Sequence, residues 1–221
     1  MSVMDKTPFH GVTLYSHPND HYSHSVRFLL AEKKIQYRLI LVDEQDEEDL
    51  TQLNPYGSLP TLVDPQVKLF KASIINEYLD DRYRQNRLYA DNPAEKAEQR
   101  QFLWRIEQDW FKWADILLRH PDTLDQQQQS VAKRELTDIL SSLNPLFQHY
   151  PYFMSEQFSI IDCMLAPMLL RLWYRKIGIS PKHAKGLLLY CQRVFNRDSF
   201  RQSLTTFEQT RYSETLKQFN R

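Results

Sequence analysis

Apolar residues change their spacing near residue 83, and this change divides the sequence into two regions. In the first region, short apolar runs alternate with stretches of helical spacing, so strands and helices are predicted in the order βαβαββα. The predicted strands lie at 12–15, 37–42, 61–63 and 67–70. The predicted helices lie at 23–34, in a short segment that follows the acidic run 43–49 and ends near Leu53, and at 72–83. Strands separated by a helix must lie parallel, whereas the last two are close enough to form a hairpin. This region is therefore predicted to be a small mixed sheet with helices on its faces.

Beyond residue 92 the pattern is helical throughout. The polar segment at 84–87 and the Asp-Asn-Pro turn at 91–93 indicate a linker before it. Apolar residues then recur every three or four positions from Phe102 to Leu117, which predicts a long helix that starts at Pro93. The predicted organisation is an α/β domain at 12–83, a linker at 84–92 and an all-helical domain at 93–212, with flexible tails at 1–11 and 213–221.

Several helix starts in the second region have recognisable capping residues. Ser159 and Asp162 form a Ser-x-x-Asp capping box, in which the serine accepts from the first backbone NH groups and the aspartate reaches back. Pro181 is predicted to begin another helix, and Asp198 is predicted to cap the last one. A break is expected near Pro145.

The composition is that of an ordered, soluble protein. The 221 residues are 42% hydrophobic and 13% aromatic, enough for one large core or two small ones. Cys163 and Cys191 lie in apolar helical stretches and form no Cys-x-x-Cys pair, so we expect buried thiols and a cytoplasmic protein. No run approaches the ~20 apolar residues that span a bilayer, and the first residues do not resemble a signal peptide, so we expect no membrane association.

Charge is unevenly distributed although it sums to zero. Residues 1–80 carry 7 Lys and Arg against 12 Asp and Glu, and residues 81–221 carry 21 against 16, so the two parts have net charges of −5 and +5. The balance argues against sequence-independent nucleic-acid binding, and the basic clusters at 82–87 and 171–176 lack the interleaved aromatic platform of such binders. The asymmetry would suit orientation on a charged protein partner, although ordinary solvated helix faces explain it equally well.

Residues 54–64 have the pattern of a ligand-binding corner. Pro60 stands between a turn rich in Asn, Pro and Gly and the apolar run 61–63, and we predict a cis Leu59–Pro60 peptide bond. The segment resembles the glutathione S-transferase superfamily, whose thioredoxin-like domain has a cis-proline before its third strand and an acid-Ser pair opening the next helix. In this chain Lys71 and Ala72 occupy the positions of that pair.

The resemblance to the superfamily extends from residue 12 to about residue 203. Within this range, some segments resemble one particular family. Residues 153–167, which include the capping box, resemble the folding motif of the superfamily's helical domain. Several further segments resemble the bacterial stringent starvation protein A family, and these are 22–27 with 30–33, 53–55, 60–64, 105–110, 162–163 with 165–167, and 193–200. The resemblance implies a thioredoxin-like domain followed by a helical bundle, as in the transferases.

Membership of this family would imply a binding protein rather than an enzyme. Members associate with the RNA polymerase holoenzyme at the sigma factor and redirect transcription during starvation and stress. The resemblance therefore implies polymerase as the partner, DNA contact only through polymerase, no cofactor and no transferase activity. The fold also implies a homodimer, which we expect to form through the helix from Ala72 and the long helix that carries Trp104 and Trp110.

An active glutathione enzyme is the principal alternative, and its nucleophile site can be compared with this chain. Such an enzyme stabilises a thiolate near the start of the first helix with a hydroxyl or uses a cysteine there. The alignment with thiol-using members places Asp20 at the cysteine position, where a carboxylate would raise a thiol's pKa. Four residues remain as hydroxyl donors, and these are Tyr15, Ser16, Tyr22 and Ser23.

The glutathione anchor is also altered. In active members the acid binds the ammonium group of the tripeptide, and the serine with the helix NH groups binds its γ-glutamyl carboxylate. Lys71 reverses that charge and Ala72 removes the hydroxyl, which together should weaken binding on the order of a thousandfold. Ser73 is one position late, although a shifted helix start would partly restore it, and Lys71 can equally be a solvated side chain. We define the vestigial cleft as Tyr15, Asp20, Leu59, Pro60, Lys71, Ala72 and Ser73. A modified cleft could also serve a thiol or small-molecule sensor.

A metal site is the third kind of chemistry considered. His17, His21 and His24 with Asp20 offer ligand types at helical spacing. Pro18 and the predicted loop weaken that geometry, because the ligands of a metal site are held in orientation by ordered neighbouring groups. Surface histidines explain the cluster, so no metal is predicted.

The segment that follows the α/β domain differs from the corresponding segment of the family. Well-known members of the family have a Pro-His-Pro tripeptide there, in an exposed regulatory pocket, and the matching residues are Arg84, Gln85 and Asn86. A stiff apolar loop is thus replaced by a charged one, which we expect to be flexible. The candidate partner-binding residues are Tyr83, Arg84, Gln85, Asn86, Arg87 and Tyr89, because arginine and tyrosine are enriched at interface hot spots. A solvated interdomain linker explains the same segment.

Overall fold

The computed structural model describes residues 11–43, 50–119, 125–178 and 183–219. Its first part has a thioredoxin-like order of elements. These are β1 (Val12–Ser16), α1 (His21–Glu32), β2 (Tyr37–Leu41), a single 3₁₀ turn (Leu50–Gln52), β3 (Thr61–Val63), β4 (Lys68–Phe70) and α2 (Ala72–Arg82). The predicted βαβαββα order is confirmed, with the 3₁₀ turn as the short second helix. Residues 44–49 of the acidic run and residues 1–10 lie outside the described residues.

The four strands form one mixed sheet in the order β2-β1-β3-β4. β1 pairs with β2 in parallel, and β3 is antiparallel to both β1 and β4. Leu14 of β1 pairs with Leu62 of β3, and both side chains are fully buried. The predicted parallel crossover and closing hairpin are therefore correct, because α1 separates β1 from β2 and a four-residue turn joins β3 to β4.

The second part consists of helices around a buried central helix. They are α3 (Pro93–Arg105), a π-helical turn (Ile106–Phe111) that continues into α4 (Lys112–Arg119), α5 (Gln126–Leu143), α6 (Leu146–His149), α7 (Ile160–Tyr174), α8 (Lys185–Phe195), α9 (Asp198–Gln202) and α10 (Thr206–Lys217). The apolar helix α7 packs against α1, so one continuous hydrophobic core joins the sheet region to the bundle. None of the described helices is both long and apolar enough to cross a membrane.

The capping box that begins α7 is confirmed. The Ser159 hydroxyl accepts from the NH of Ile161, and the Asp162 carboxylate accepts from the NH of Ser159 at 2.8 Å. Asp162 also accepts from the Tyr190 hydroxyl at 2.9 Å and from the NH of Phe153 at 3.0 Å. Asp162 therefore fixes the start of α7 and joins it to α8 and to the preceding loop.

Other helix boundaries differ from the sequence predictions. Asp198 does not cap the last helix: it lies inside the short α9, and Thr205 caps α10 with a reciprocal bond from Glu208. The prediction that 213–221 is a flexible tail is wrong for residues 213–219, because α10 continues to Lys217 and Phe219 is buried. Tyr212, Leu216 and Phe219 recur every three or four positions, and their burial holds this segment on the bundle. Pro181 lies outside the described residues.

Candidate functional site

An open cleft lies between the β3–α2 corner and the long helix of the second part. Its walls are Tyr22, Ser58, Leu59, Pro60, Phe70, Lys71, Ala72, Glu107, Gln108 and Asp115. The Leu59–Pro60 peptide bond is cis, as predicted. Four residues of the predicted vestigial cleft thus lie together here, namely Leu59, Pro60, Lys71 and Ala72.

Asn54 organises the turn that leads to the cis-proline. Its side-chain amide donates to the carbonyl of Ser58 at 3.1 Å and to the Thr61 hydroxyl at 2.6 Å. Its carbonyl oxygen accepts from the NH groups of Tyr56 and Ser58 at 3.0 and 3.3 Å. The Asn54 side chain is buried, and its bond to Thr61 is buried with it. An asparagine at the start of a Pro-Gly turn is a recognised local signal, so this role could have been predicted from the sequence.

Asp20 acts as the N-cap of α1. Its carboxylate accepts from the NH of Ser23 at 2.8 Å and from the Ser23 hydroxyl at 2.6 Å. The Ser23 hydroxyl in turn accepts from the NH of His17 at 3.0 Å. Asp20 does not line the cleft but a neighbouring cavity. The position at which related enzymes hold a thiol therefore contains a carboxylate engaged in helix capping.

The remaining hydroxyl candidates are held by other groups. The Tyr22 hydroxyl donates to Asp115 at 2.9 Å, so its proton is directed at a carboxylate of the helical part. The Ser16 side chain is buried, accepts from Arg27 and donates to the carbonyl of His17 at 3.2 Å. Of the four hydroxyl residues only Tyr22 lines the cleft, and Tyr15 is a residue of β1. A thiolate in the cleft would have to displace Asp115 to gain the Tyr22 proton.

Lys71 forms an ion pair that closes one end of the cleft. Its backbone has φ +72° at the N-cap of α2, where its side chain makes no capping bond. Its ammonium lies 3.0 Å from Oε2 of Glu107, a carboxylate whose side chain is 8% exposed, while the lysine is 50% exposed. Lys71 is therefore not simply solvated. In a γ-glutamyl site the residue at this position is an acid. Here it is a cation, Lys71, and it is paired with an anion, Glu107, from the other domain.

Glu107 was missed by the sequence analysis. It occupies the π-helical turn at Ile106–Phe111, and its second carboxylate oxygen is buried without a hydrogen bond from the residues the structure describes. Ser73 lies on the opposite side of the Lys71–Glu107 pair from the cleft, in a separate groove with Ile74 and Trp104. The shifted-anchor alternative is thus not supported by the position of Ser73.

The three histidines point to different partners. His24 is fully buried between Arg171 at 3.2 Å and the Ser203 hydroxyl at 2.8 Å, and burial, followed by the Arg171 and Arg27 charges, lowers its pKa well below 6.5. His21 is buried 3.5 Å from Asp115, and His17 accepts from the NH of Asn19. Within the described ranges, no three His, Cys, Asp or Glu side chains are grouped as a metal site. The prediction that these are surface histidines is wrong for His21 and His24, because α1 turns both into the domain junction.

Both cysteines are buried free thiols, as predicted. Burial raises the pKa of Cys163 well above 9.0 and that of Cys191 to about 12. Because the thiolate is the nucleophile, neither side chain is activated for covalent chemistry at neutral pH.

The loop after α2 is exposed at its tip but anchored from beneath. Lys33, buried under the loop, donates to the carbonyls of Gln85 at 2.9 Å and Asn86 at 3.2 Å and to Asp80 at 2.6 Å. Asp80, fully buried, also accepts from the NH groups of Leu88 and Tyr89 at 2.9 and 3.0 Å. These bonds hold the loop backbone against α1, a contact that the sequence could not reveal because Lys33 is some fifty positions away.

The candidate partner-binding residues are therefore not equivalent. Arg84, Gln85 and Asn86 are exposed. Arg87 is partly buried and pairs with Asp81 at 2.8 Å. Tyr83 is partly buried, with the Arg82 guanidinium over its ring. Tyr89 is only 3% exposed, so its proposed surface role is wrong, and burial raises its pKa.

Comparison with known proteins agrees with this architecture. Residues 10–81 match the family described as "Glutathione S-transferase, N-terminal domain". The fold resembles that of glutathione transferase Omega 3C from Trametes versicolor, with a TM-score of 0.76 and 20% identity, over 97% of this chain and 91% of that one. The chain thus has the glutathione S-transferase fold, with a thioredoxin-like domain followed by a helical bundle.

Sequence relatives specify the family within this fold. The chain is 42% identical over 194 residues to the stringent starvation protein A homolog of Pasteurella multocida, covering 87% of this chain and 90% of the relative. It is 40% identical to the homolog of Haemophilus influenzae, with the same coverage. The chain belongs to the stringent starvation protein A family.

Proposed function

We propose that this protein is a transcription regulator of the starvation and stress response that binds the RNA polymerase holoenzyme, including its sigma factor. It acts by protein–protein contact, without glutathione transferase activity, and reaches DNA only through polymerase. The observation that carries the proposal is the cleft: in a chain 42% identical to a stringent starvation protein A homolog, the Lys71–Glu107 ion pair replaces the glutathione anchor.

The chemistry of the cleft supports the absence of transferase activity. The ammonium of Lys71 would repel the ammonium of a γ-glutamyl group, and Glu107 would repel its carboxylate. Asp20 caps α1 instead of activating a thiol, and the Tyr22 proton is directed at Asp115. Binding and activation of glutathione are thus opposed by separate groups.

The loop that carries Arg84, Gln85 and Asn86 is our candidate for a polymerase contact. Its side chains are exposed, while its backbone carbonyls are fixed by Lys33, so contact would require little additional ordering. A preorganised, cationic loop suits an acidic protein surface, where charge speeds association and sets orientation.

A homodimer is proposed through α2 and the long helix. Ile74 is 50% exposed and Trp104 is 59% exposed, and they line one groove together with Glu77 and Arg100. Trp110 is partly buried and packs near Phe153, so it does not share this groove. We expect Trp104→Glu to shift the protein to a monomer in sedimentation equilibrium. A wild-type monomer at tens of micromolar would contradict the dimer.

The functional test is affinity capture from stationary-phase lysate with the tagged full chain. Retention of the polymerase core subunits and a sigma factor is expected. Arg84→Ala/Gln85→Ala should reduce retention without unfolding, because the anchoring bonds use backbone carbonyls that alanine retains. Arg134→Ala/Gln127→Ala, which makes the same charge change on exposed α5, is the matched control.

An alternative function is a glutathione-dependent transferase or a thiol or small-molecule sensor in the modified cleft. The open cleft, which Leu59 and Pro60 line, is the observation that favours it. Under this alternative, glutathione raises the melting temperature and thiol transfer to a model electrophile is measurable. Those results, together with no retained polymerase subunits, would overturn the proposed function.

A further inference from the structure

A cluster of buried charges joins the two domains at the start of α1. Arg27 from α1 and Arg171 from α7 both bind the carboxylate of Glu208 from α10, and all three side chains are at most 4% exposed. Arg27 donates to both oxygens of Glu208, at 2.8 and 2.7 Å. Two guanidinium groups therefore share the buried Glu208 carboxylate.

Two further groups adjoin this cluster, His24 and Asp20. His24 accepts from Arg171 through Nδ1, and its pKa is lowered by burial and by the arginines, so its ring is neutral at pH 7. The Asp20 carboxylate accepts from the NH and hydroxyl of Ser23, which are neutral donors, so its negative charge offsets the second guanidinium. The buried cluster is therefore balanced in charge, and what it leaves open is a hydrogen-bond donor.

The two arginines differ in their remaining donors. Arg27 uses Nε, Nη1 and Nη2, since Nε donates to the carbonyl of Ser203 at 2.9 Å. Arg171 uses Nη1 and Nη2, which donate to the carbonyls of Pro167 at 2.8 Å and Asp20 at 3.0 Å and also bind Glu208. Its Nε is buried and makes no hydrogen bond to any residue the structure describes. Arg171 is thus the arginine with an unused donor.

Arg171 lines a small cavity, which we call the arginine cavity. Its polar lining comprises Asn19, Asp20, Arg171, Arg175 and Arg211, together with the rings of Tyr174 and Tyr212. Arg175 follows Arg171 by one turn of α7, and Arg211 comes from α10 with its guanidinium over the Tyr174 ring at 5.0 Å. The enclosed space is about 40 Å³, which limits a ligand to a small group.

We propose that the arginine cavity binds an oxyanion, specifically a phosphate group. Three arginines, Arg171, Arg175 and Arg211, line the cavity against one carboxylate, that of Asp20, so the lining is positive overall. Guanidinium groups match phosphate oxygens in geometry and charge. The bound anion offsets the net positive charge of the lining and bridges the start of α1 to α7 and α10. This site is separate from the cleft, and the proposal does not depend on polymerase binding.

The test is a phosphate titration of the full chain at constant ionic strength, adjusted with sodium chloride. Melting temperature and the ³¹P NMR linewidth of phosphate are measured together. Saturable stabilisation and line broadening are expected in the wild type. Arg175→Gln/Arg211→Gln should weaken the apparent affinity at least tenfold while leaving the buried Arg27–Glu208–Arg171 cluster in place. Lys133→Gln/Lys185→Gln makes the same change in net charge at exposed positions remote from the cavity and should stay within twofold of wild type.

Two results would overturn the proposal. One is a wild-type protein that shows no saturable response to phosphate. The other is an equal loss of affinity in the cavity variant and the lysine control, which would indicate general charge screening. A parallel titration with phenyl phosphate distinguishes two sources of the same group. Binding of free phosphate alone assigns the site to the ion, and equal or tighter binding of the ester assigns it to the phosphate of a larger molecule.

Discussion

The buried Lys33–Asp80 pair provides the sharpest test of how the loop after α2 is held. Asp80 is excluded from solvent and accepts from Lys33 at 2.6 Å, from the NH of Leu88 at 2.9 Å and from that of Tyr89 at 3.0 Å. Asp80→Asn retains an acceptor but leaves the Lys33 ammonium without its nearest counter-charge. Removing one partner of a buried pair costs about 3–5 kcal/mol, so we expect a loss of that size in the free energy of unfolding.

The reciprocal substitution should cost somewhat less. Lys33→Met leaves Asp80 with its two backbone donors, and the Arg87 guanidinium lies 3.8 Å away. We therefore expect about 3 kcal/mol, the lower end of that range. The double variant Lys33→Met/Asp80→Asn contains no buried charge at this point. Its destabilisation should fall short of the sum of the single changes by about 2 kcal/mol or more.

Urea unfolding followed by circular dichroism measures these differences. A 3 kcal/mol loss should also lower the melting temperature by roughly 6–12 °C in a chain of this size. Asp81→Asn is the matched control, because its carboxylate is 47% exposed and pairs with Lys96 at the surface, where about 1 kcal/mol or less is expected. If Asp80→Asn changed stability no more than Asp81→Asn, or if the double variant were additive, the pair would not anchor the loop.

Three further outcomes follow from the site and the packing. His24, whose pKa is lowered from 6.5 by burial and then by nearby arginines, should make stability fall by up to about 1.4 kcal/mol per pH unit below pH 6.5, because the unfolded chain takes up a proton that the folded chain refuses. Urea unfolding at pH 7.0 and 5.5 should show this slope reduced in His24→Gln, and an unchanged slope would contradict the assignment. A glutathione-dependent rise in melting temperature is expected for the triple variant Lys71→Asp/Ala72→Ser/Glu107→Gln. The double variant Lys71→Asp/Ala72→Ser should gain little, because Glu107 then faces a second carboxylate. Equal responses of the two variants would refute the role of Glu107. Gly186→Ala should cost about 2 kcal/mol or more, since the added methyl would clash with the backbone carbonyl oxygen of Asn144, and near-wild-type unfolding in urea would show that the packing yields.

Local signals were sufficient for most of the fold. Strand and helix spacing, Pro93 at a helix start and the Ser159–Asp162 box all act within a few residues, and the structure agrees with each. The errors occurred where a local signal had a competitor. Asp198 is a plausible cap by composition, but Thr205 with Glu208 completes a reciprocal pair closer to the last helix. The same competition between nearby capping residues is why helix ends are harder to predict than helices.

The candidate site was less predictable because its determinants are pairs from distant parts of the chain. Lys71 and Ala72 could be read as the loss of an anchor, but the sequence did not show that Glu107 supplies the opposite charge across the cleft. A charge reversal without a partner would leave a weakened glutathione site that one substitution could restore. With Glu107 paired to Lys71, the reversal is built into the contact between the two domains, so recovering glutathione binding requires changes on both sides. The Lys71–Glu107 contact therefore supports the proposed function, in which this cleft does not bind glutathione.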